Sequence, residues 1–286
     1  MAVTVGQNAG ILKLSRQLGQ TSERISNSFV RLSSGQRIAK SSDDSSGLAV
    51  ADSLQLSARL ASIAIRNAND GISSVTIADN AMKEIQSILQ RQSELAQQAS
   101  NGTFSLAQRS VIQTEFTALG SEVERIAAGT NFNGISLLSG SGAIVFQVGI
   151  DTGSLSQLSI ENVQGTLQQL GLASTGSSAL TYSLSGSTVT AAQSASRSAL
   201  VAVNDALTSL SIKRGTLGAI ETRLQATVNN LSVARENFTA AEGRIRDLDV
   251  AQEAANLTRL SILQQAGSAI FAQANQSTAL ALQLLK

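Results

Sequence analysis

Not one proline interrupts the 286 residues of this chain. Proline removes a backbone donor and clashes with the preceding helical turn, so a sequence without it lacks the strongest helix breaker and can sustain unusually long helices. The apolar pattern uses that freedom. Ile11, Leu14, Leu18, Ile25, Phe29 and Leu32 recur at steps of three, four or their sum, one narrow helical stripe that fades at Ser33-Ser34-Gly35, where Gly35 is a natural stop. After the polar stretch QRIAKSSDDSSG, a second pattern runs through Leu54, Ala61, Ile65, Ala68, Ile72, Val75, Ala78, Met82, Ile85 and Leu89 to about Ser100. A helix of that extent is roughly 80 Å long, a rod rather than a core helix.

Asn101-Gly102 closes the second helix, and Ser105-Leu106-Ala107-Gln108 has the form of a capping box opening a third, with Ile112, Phe116, Leu119, Val123 and Ile126 as its seam. From Asn131 to about Ser187 the composition shifts to Gly, Ser and Thr. There AIVFQVGI and SLSQLSI flank Asp151-Thr152-Gly153 and predict a β-hairpin at about 140–165. Helical order returns near Ala191 with Leu200, Val203, Leu207, Leu210, Leu217, Leu224, Val228 and Leu231, interrupted only by Arg214 and Glu221, polar seam residues suited to fixing register. A last helix is expected from near Arg244 to the terminus, opening with the charged collar Arg244, Arg246, Asp247 and Asp249. The fold class is therefore mainly α, an elongated bundle of long helices with a small β-hairpin region.

Composition closes most catalytic routes. There is no Cys and no His, so disulfides, thiolate or imidazole ligands and His-based acid–base chemistry are excluded. Twenty-one basic residues against 20 acidic give a net charge of +1, too balanced to point to nucleic acid or an anionic membrane. Asp43-Asp44 has no third carboxylate nearby, and adjacent acids before a helix are explained by the helix dipole, so no metal is assigned. Carboxylate chemistry is the catalytic route left open, and no catalytic residue and no cofactor is assigned. The N-terminus has no apolar run of signal-peptide type, which alone suggests a cytosolic protein.

From Leu260 the C-terminal segment carries no charge before Lys286. About 20 uncharged residues are long enough to span a membrane, but Gln264, Gln265, Gln273, Asn275, Gln276 and Gln283 would be costly in hydrocarbon. Such a helix suits contact with other protein surfaces. Both terminal stripes are too narrow and too poor in large side chains to build a core alone, so they need each other or neighbouring copies.

Four stretches, FVRLSSGQRIAKSSDDSSGLAVADSL, RNANDGISSVTIADNAMKEIQSILQRQSELAQQASNGT, NFNGISLLSG and ILQQAGSAIFAQANQ, occur in the order expected of bacterial flagellin, which the chain resembles over about residues 1–170 and 190–286. The resemblance implies an inner core of paired terminal helices, residues 1–45 with 246–286, and a rod-like outer core over 46–245. Thr175 to Thr190 stands where larger members insert outer domains, so the chain resembles a minimal form. Its Ser and Thr would be exposed, and some members carry O-linked sugars there, although linker composition explains them equally well. One departure is Ser277-Thr278, where the family often has Pro.

The implied function is that of a subunit polymerising into the flagellar filament, exported unfolded by the flagellar type III apparatus and residing extracellularly. A hook–filament junction protein, built on similar terminal helices, is the alternative; a metalloprotease-bearing member is excluded by the lack of His. Implied partners are other copies of the chain, an export chaperone, the filament cap, hook–filament junction proteins and a host Toll-like receptor; nucleic acid and membrane insertion are not expected. Gln90, Arg91, Glu94, Leu95 and Glu115 correspond to the outer-core surface that meets neighbouring subunits and the receptor, although Arg91 and Glu94 alone would read as a solvated pair. Ile11, Leu14, Leu18, Ile25, Leu263, Ile270, Leu280 and Leu284 are the expected inner-core packing residues.

Overall fold

A computed structural model describes residues 9–140, 142–161 and 163–283, with side chains as far as residue 276 in the last helix. In chain order the elements are α1 (Ala9–Ser34), α2 (Ser45–Ser100), α3 (Leu106–Gly129), β1 (Asn131–Phe132), β2 (Ile135–Ser136), β3 (Ile144–Gln147), a short 3-10 turn (Ser154–Ser156), β4 (Gln157–Ile160), α4 (Val189–Arg246) and α5 (Val250–Gln283). The protein is mainly α, with long helices and two small antiparallel hairpins.

Local chemistry sets the helix ends. Gly35, at φ +70°, donates its N–H to Arg31 O at 2.8 Å and closes α1 as a left-handed cap. Asp44 caps α2, its Oδ1 accepting from Gly47 N–H and Ser46 Oγ, each at 2.9 Å. The Ser105–Gln108 capping box opens α3 as the sequence predicts. The break before the last helix lies elsewhere than expected. Helix α4 continues through Arg244 to Arg246, and α5 begins only at Val250, with Asp249 Oδ1 accepting from Gln252 N–H at 3.0 Å. Arginine is a good helix former and belongs in a last turn, whereas aspartate favours caps, so the collar divides between two helix ends.

By contacts the chain divides into two units: one takes in the chain up to Ala58 and from Glu236 on, the other Arg59–Arg235. The larger unit holds the main core. Within it α2 and α4 run antiparallel, as Arg214 to Asp79 and Asn204 to Ser93 record, and α3 folds back on α2 so that Gln92 Nε2 donates to Phe116 O at 3.0 Å. Val75, Met82, Ile85 and Leu89 meet Phe116 and Val123 of α3 and Val203, Leu210, Leu217 and Leu224 of α4 in one cluster. The α4 seam is rotated from its leucine pattern: Ala199, Ala206 and Ile220 are buried while Leu200, Leu207 and Val228 are only partly so. Alanine permits close helix approach, and the bulkier neighbours flank the contact.

The expected hairpin is β3–β4, registered Ile144 to Ile160 through Gln147 to Gln157. It packs on α2 at Gly71, where an added Cβ would lie 3.2 Å from Leu224 and 3.4 Å from Phe146. A second hairpin, β1–β2, turns on Asn133-Gly134 with φ of +50° and +79°, the two-residue turn that Asn-Gly favours. The segment after Thr175 is docked rather than free. Leu184 is buried, its N–H and the Ser183 hydroxyl donate to Gln113 Oε1, and Leu180 fills the space left by Gly120.

In the smaller unit α1 and α5 pack antiparallel, with Ser28 Oγ on Glu253 Oε1 and Leu18 over Gly267. The two helix breaks are stitched by backbone bonds: Arg37 N–H to Arg246 O at 2.7 Å and Leu248 N–H to Gly35 O at 3.0 Å. Among the described residues of this unit, only Ile38, Ala51 and Leu260 are buried apolar side chains.

Candidate functional site

Two surfaces carry the sequence-predicted site residues. The first is the α1–α5 pair. Ile11, Leu14, Leu18 and Ile25 are half-buried, spaced by three, four and seven along α1, and Leu18 lies against α5. Leu263 and Ile270 on α5, by contrast, are 54% and 57% exposed. Leu284 and the side chain of Leu280 lie outside the described residues. The seam itself is partly polar: Thr21 and Ser28 are buried, Thr21 Oγ1 donating to its own helix at Gln17 O, 2.9 Å away. Small hydroxyl residues in the seam bury little apolar area, while Leu12, Phe29, Val30, Val250 and Ile262 remain exposed around it.

At the base of this pair the carboxylates serve as backbone caps. Asp43 Oδ2 accepts from Ala39 and Lys40 N–H at 3.2 and 3.0 Å, and its Oδ1 meets Arg31 at 3.2 Å. The Lys40 N–H above all, with the Ala39 N–H and the Arg31 guanidinium adding to it, holds the Asp43 carboxyl below its usual range; the Gly47 N–H and the Ser46 hydroxyl do the same for Asp44. Both acids are thus ionised turn-formers, Asp43 with both oxygens engaged and Asp44 through Oδ1.

The second surface lies on α2 and α3. Antiparallel packing through the Asn101-Gly102 turn brings Glu115 to Arg91, with Nε to Oε1 at 3.0 Å, while Arg91 Nη1 reaches Glu94 Oε2 at 3.0 Å. The Glu94 and Glu115 hydrogen bonds raise the already high Arg91 pKa. Gln90 is exposed beside them. Leu95 does not join this surface: at 2% exposure it belongs to the core, and its expected place in the patch is corrected. Four residues advance a helix by about 40° beyond a full turn, enough to carry position 95 from the exposed edge of Arg91 to the face of Gln92 and Ala99. Gln90, Arg91, Glu94 and Glu115 remain as a charged surface cluster.

Two buried polar residues behind this surface were not legible in the sequence. Gln92 is fully buried and satisfies Phe116 O, the carbonyl one residue beyond Glu115. Arg109, also fully buried, donates from Nη2 to Asn101 O at 2.6 Å and from Nε to Phe104 O at 3.2 Å, so its cation closes the C-terminal end of α2. A polar residue four places into a helix carries no sign that it will turn inward. The Arg214 interruption, by contrast, was legible: its guanidinium grips Asp79 at 2.8 and 3.1 Å and Gln86 at 2.7 Å across the α2–α4 seam.

Residues 5–143 match the bacterial flagellin N-terminal helical region and residues 200–285 the bacterial flagellin C-terminal helical region. The chain is 37% identical over 283 residues to a flagellin of Halalkalibacterium halodurans, covering 99% of both chains. It is 36% identical over 304 residues to a flagellin of Bacillus subtilis and 33% identical over 293 residues to the flagellar filament 33 kDa core protein of Treponema phagedenis, in each case covering 99% of both. A crystal structure of Bacillus cereus flagellin overlays with a TM-score of 0.48 at 24% identity, over 58% of this chain and 88% of that one. The chain belongs to the bacterial flagellin family, as a short member that is a structural subunit of the flagellar filament.

Proposed function

We propose that the α1–α5 pair, residues 1–45 with 246–286, is the inner-core domain through which copies of this chain pack, and that residues 46–245 form the outer core. One observation carries this reading. In the smaller unit the described residues bury Ile38, Ala51 and Leu260 as apolar side chains while Leu12, Phe29, Val30, Ile262, Leu263 and Ile270 stay exposed. Apolar surface of that kind signals a contact site, and burying it between subunits supplies what the unit lacks alone. Leu280 and Leu284 extend the same role toward the C-terminus. The outer-core cluster Gln90, Arg91, Glu94 and Glu115 then faces a neighbouring copy, and in the free subunit it is the surface offered to a host Toll-like receptor. Family membership also supports export of the unfolded chain through the flagellar type III apparatus, an extracellular location, and dealings with an export chaperone, the filament cap and the hook–filament junction proteins.

Hydrogen exchange on free subunit and polymer tests the central claim. Amides of residues 9–34 and 250–276 exchange quickly in the subunit and become strongly protected on polymerisation, because ordering entropy is offset only when the exposed face is covered. Equal, strong protection of these helices in both states sinks the reading.

A further inference from the structure

The turn between α2 and α3 assembles, around one side chain, the parts needed for a chemical self-modification. Asn101 is exposed and is followed by Gly102, whose missing Cβ leaves its backbone nitrogen uncovered; a Cβ there would lie 2.9 Å from Gln193 Nε2, so the position admits no larger residue without a shift. The Gly102 N–H makes no hydrogen bond within the protein among the described residues. Thr103 N–H donates to Asn101 Oδ1 at 3.3 Å, an Asx turn that folds the side-chain amide over the following peptide. The guanidinium of the buried Arg109 binds the Asn101 carbonyl at 2.6 Å.

Each contact acts in a definite direction. Removing the proton from Gly102 N places negative charge on that nitrogen and on Asn101 O, with which it is conjugated. A cation hydrogen-bonded to that oxygen favours the charged form. The Thr103 N–H stands where charge develops on Oδ1 when the side-chain carbon is attacked, a stabilisation of oxyanion-hole type. We propose that Asn101 is a site of structure-promoted deamidation. Hydroxide takes the proton from Gly102 N; the nitrogen attacks Asn101 Cγ, forming a C–N bond; the Cγ–NH₂ bond breaks as water protonates the leaving nitrogen, releasing ammonia, regenerating hydroxide and giving a succinimide. Water then opens the ring at either carbonyl, yielding aspartate or isoaspartate. The net change is water in and ammonia out, with no oxidant or reductant. The isoaspartyl product lengthens the main chain by one methylene at the turn whose carbonyls hold Arg109, so the change reaches the end of α2.

The chain contains its own control. Asn133-Gly134 is the same dipeptide in the β1–β2 turn, also exposed, but no guanidinium is bonded there and no N–H reaches the Asn133 side chain among the described residues. Native protein incubated in mildly alkaline buffer, digested and mapped by mass spectrometry with isoaspartate quantified, converts Asn101 several-fold faster than Asn133. In denaturant the two rates converge, since both become unstructured Asn-Gly. Arg109→Gln, shown to be folded by circular dichroism, slows Asn101 and leaves Asn133 unchanged. Equal native rates, or a rate ratio that survives denaturation, overturn the proposal, and this comparison stands even if the variant does not fold. A folded Arg109→Gln protein with an unaltered Asn101 rate overturns it as well.

Discussion

At the scale of single residues, position on a helix decides role more strictly than residue type. Arg91 and Leu95 are separated by one turn, yet one is half-exposed and ion-paired while the other is sealed in the core. Their substitutions should therefore separate assembly from folding. Arg91→Ala removes exposed pairs that contribute little to a solvated surface, so the thermal midpoint of the free subunit scarcely moves, while polymerisation, followed by light scattering, slows and needs more protein. Leu210→Ala in the α4 seam, fully buried, lowers stability by about 2–5 kcal/mol in urea titration. Unchanged polymerisation of Arg91→Ala would remove that residue from the interface. The sequence makes part of this visible. Glu115 could be placed with Arg91 through the family resemblance, and the antiparallel packing of α3 on α2 brings the two together. The burial of Leu95, Gln92 and Arg109 depends on a helix phase that differs from the boundary of the apolar stripe by a fraction of a turn.

Among the elements, the helices were legible because their signals are local: no Pro anywhere, Gly35 as stop, and Ser105 with Gln108 as start. What escaped were features set by pairing partners. The α4 seam runs through Ala199 and Ala206 rather than the adjacent leucines, and the α4–α5 break falls at Asp247–Asp249, where residues 35–37 bond to residues 246–248. The turn before α2 gives a prediction of its own. Asp43 and Asp44 have carboxyl groups depressed below their ordinary values, chiefly by the Lys40 and Gly47 N–H groups. A depressed carboxyl contributes stability that is fully present above the unfolded-state pKa, near 4, and is lost as pH falls through the lower folded value. Acidification below about pH 4 should accordingly free the Ala39, Lys40 and Gly47 amides before the α2–α4 core responds. Amide shifts in an NMR pH titration check this, and Asp43→Asn should abolish the Ala39 and Lys40 transitions while sparing that of Gly47.

For the whole molecule, the division of labour lies in where apolar surface is spent. The larger unit buries one continuous cluster from Ala68 to Leu224 while leaving Val111, Val201 and Ile212 exposed, whereas the described residues of the smaller unit bury only Ile38, Ala51 and Leu260 as apolar side chains and leave Phe29, Ile262, Leu263 and Ile270 in solvent. The fold class and the two terminal stripes were readable from periodicity, but which apolar positions stay uncovered was not, because a stripe looks the same whether its partner is the same chain or another. This asymmetry predicts the outcome of a truncation. Deleting residues 268–286 removes the exposed Ile270 and everything beyond it, and none of the residues in the larger unit's core cluster is among those deleted. The shortened chain should remain soluble, keep the larger unit's cooperative thermal transition within a few degrees, and lose filament formation by electron microscopy. A control that deletes Thr175–Ala179 should leave filament formation intact, because those residues lie before Leu180 and Leu184, which anchor the segment to α3. Filaments of normal appearance from the 268–286 deletion would show that the exposed face of α5 does not hold the copies together.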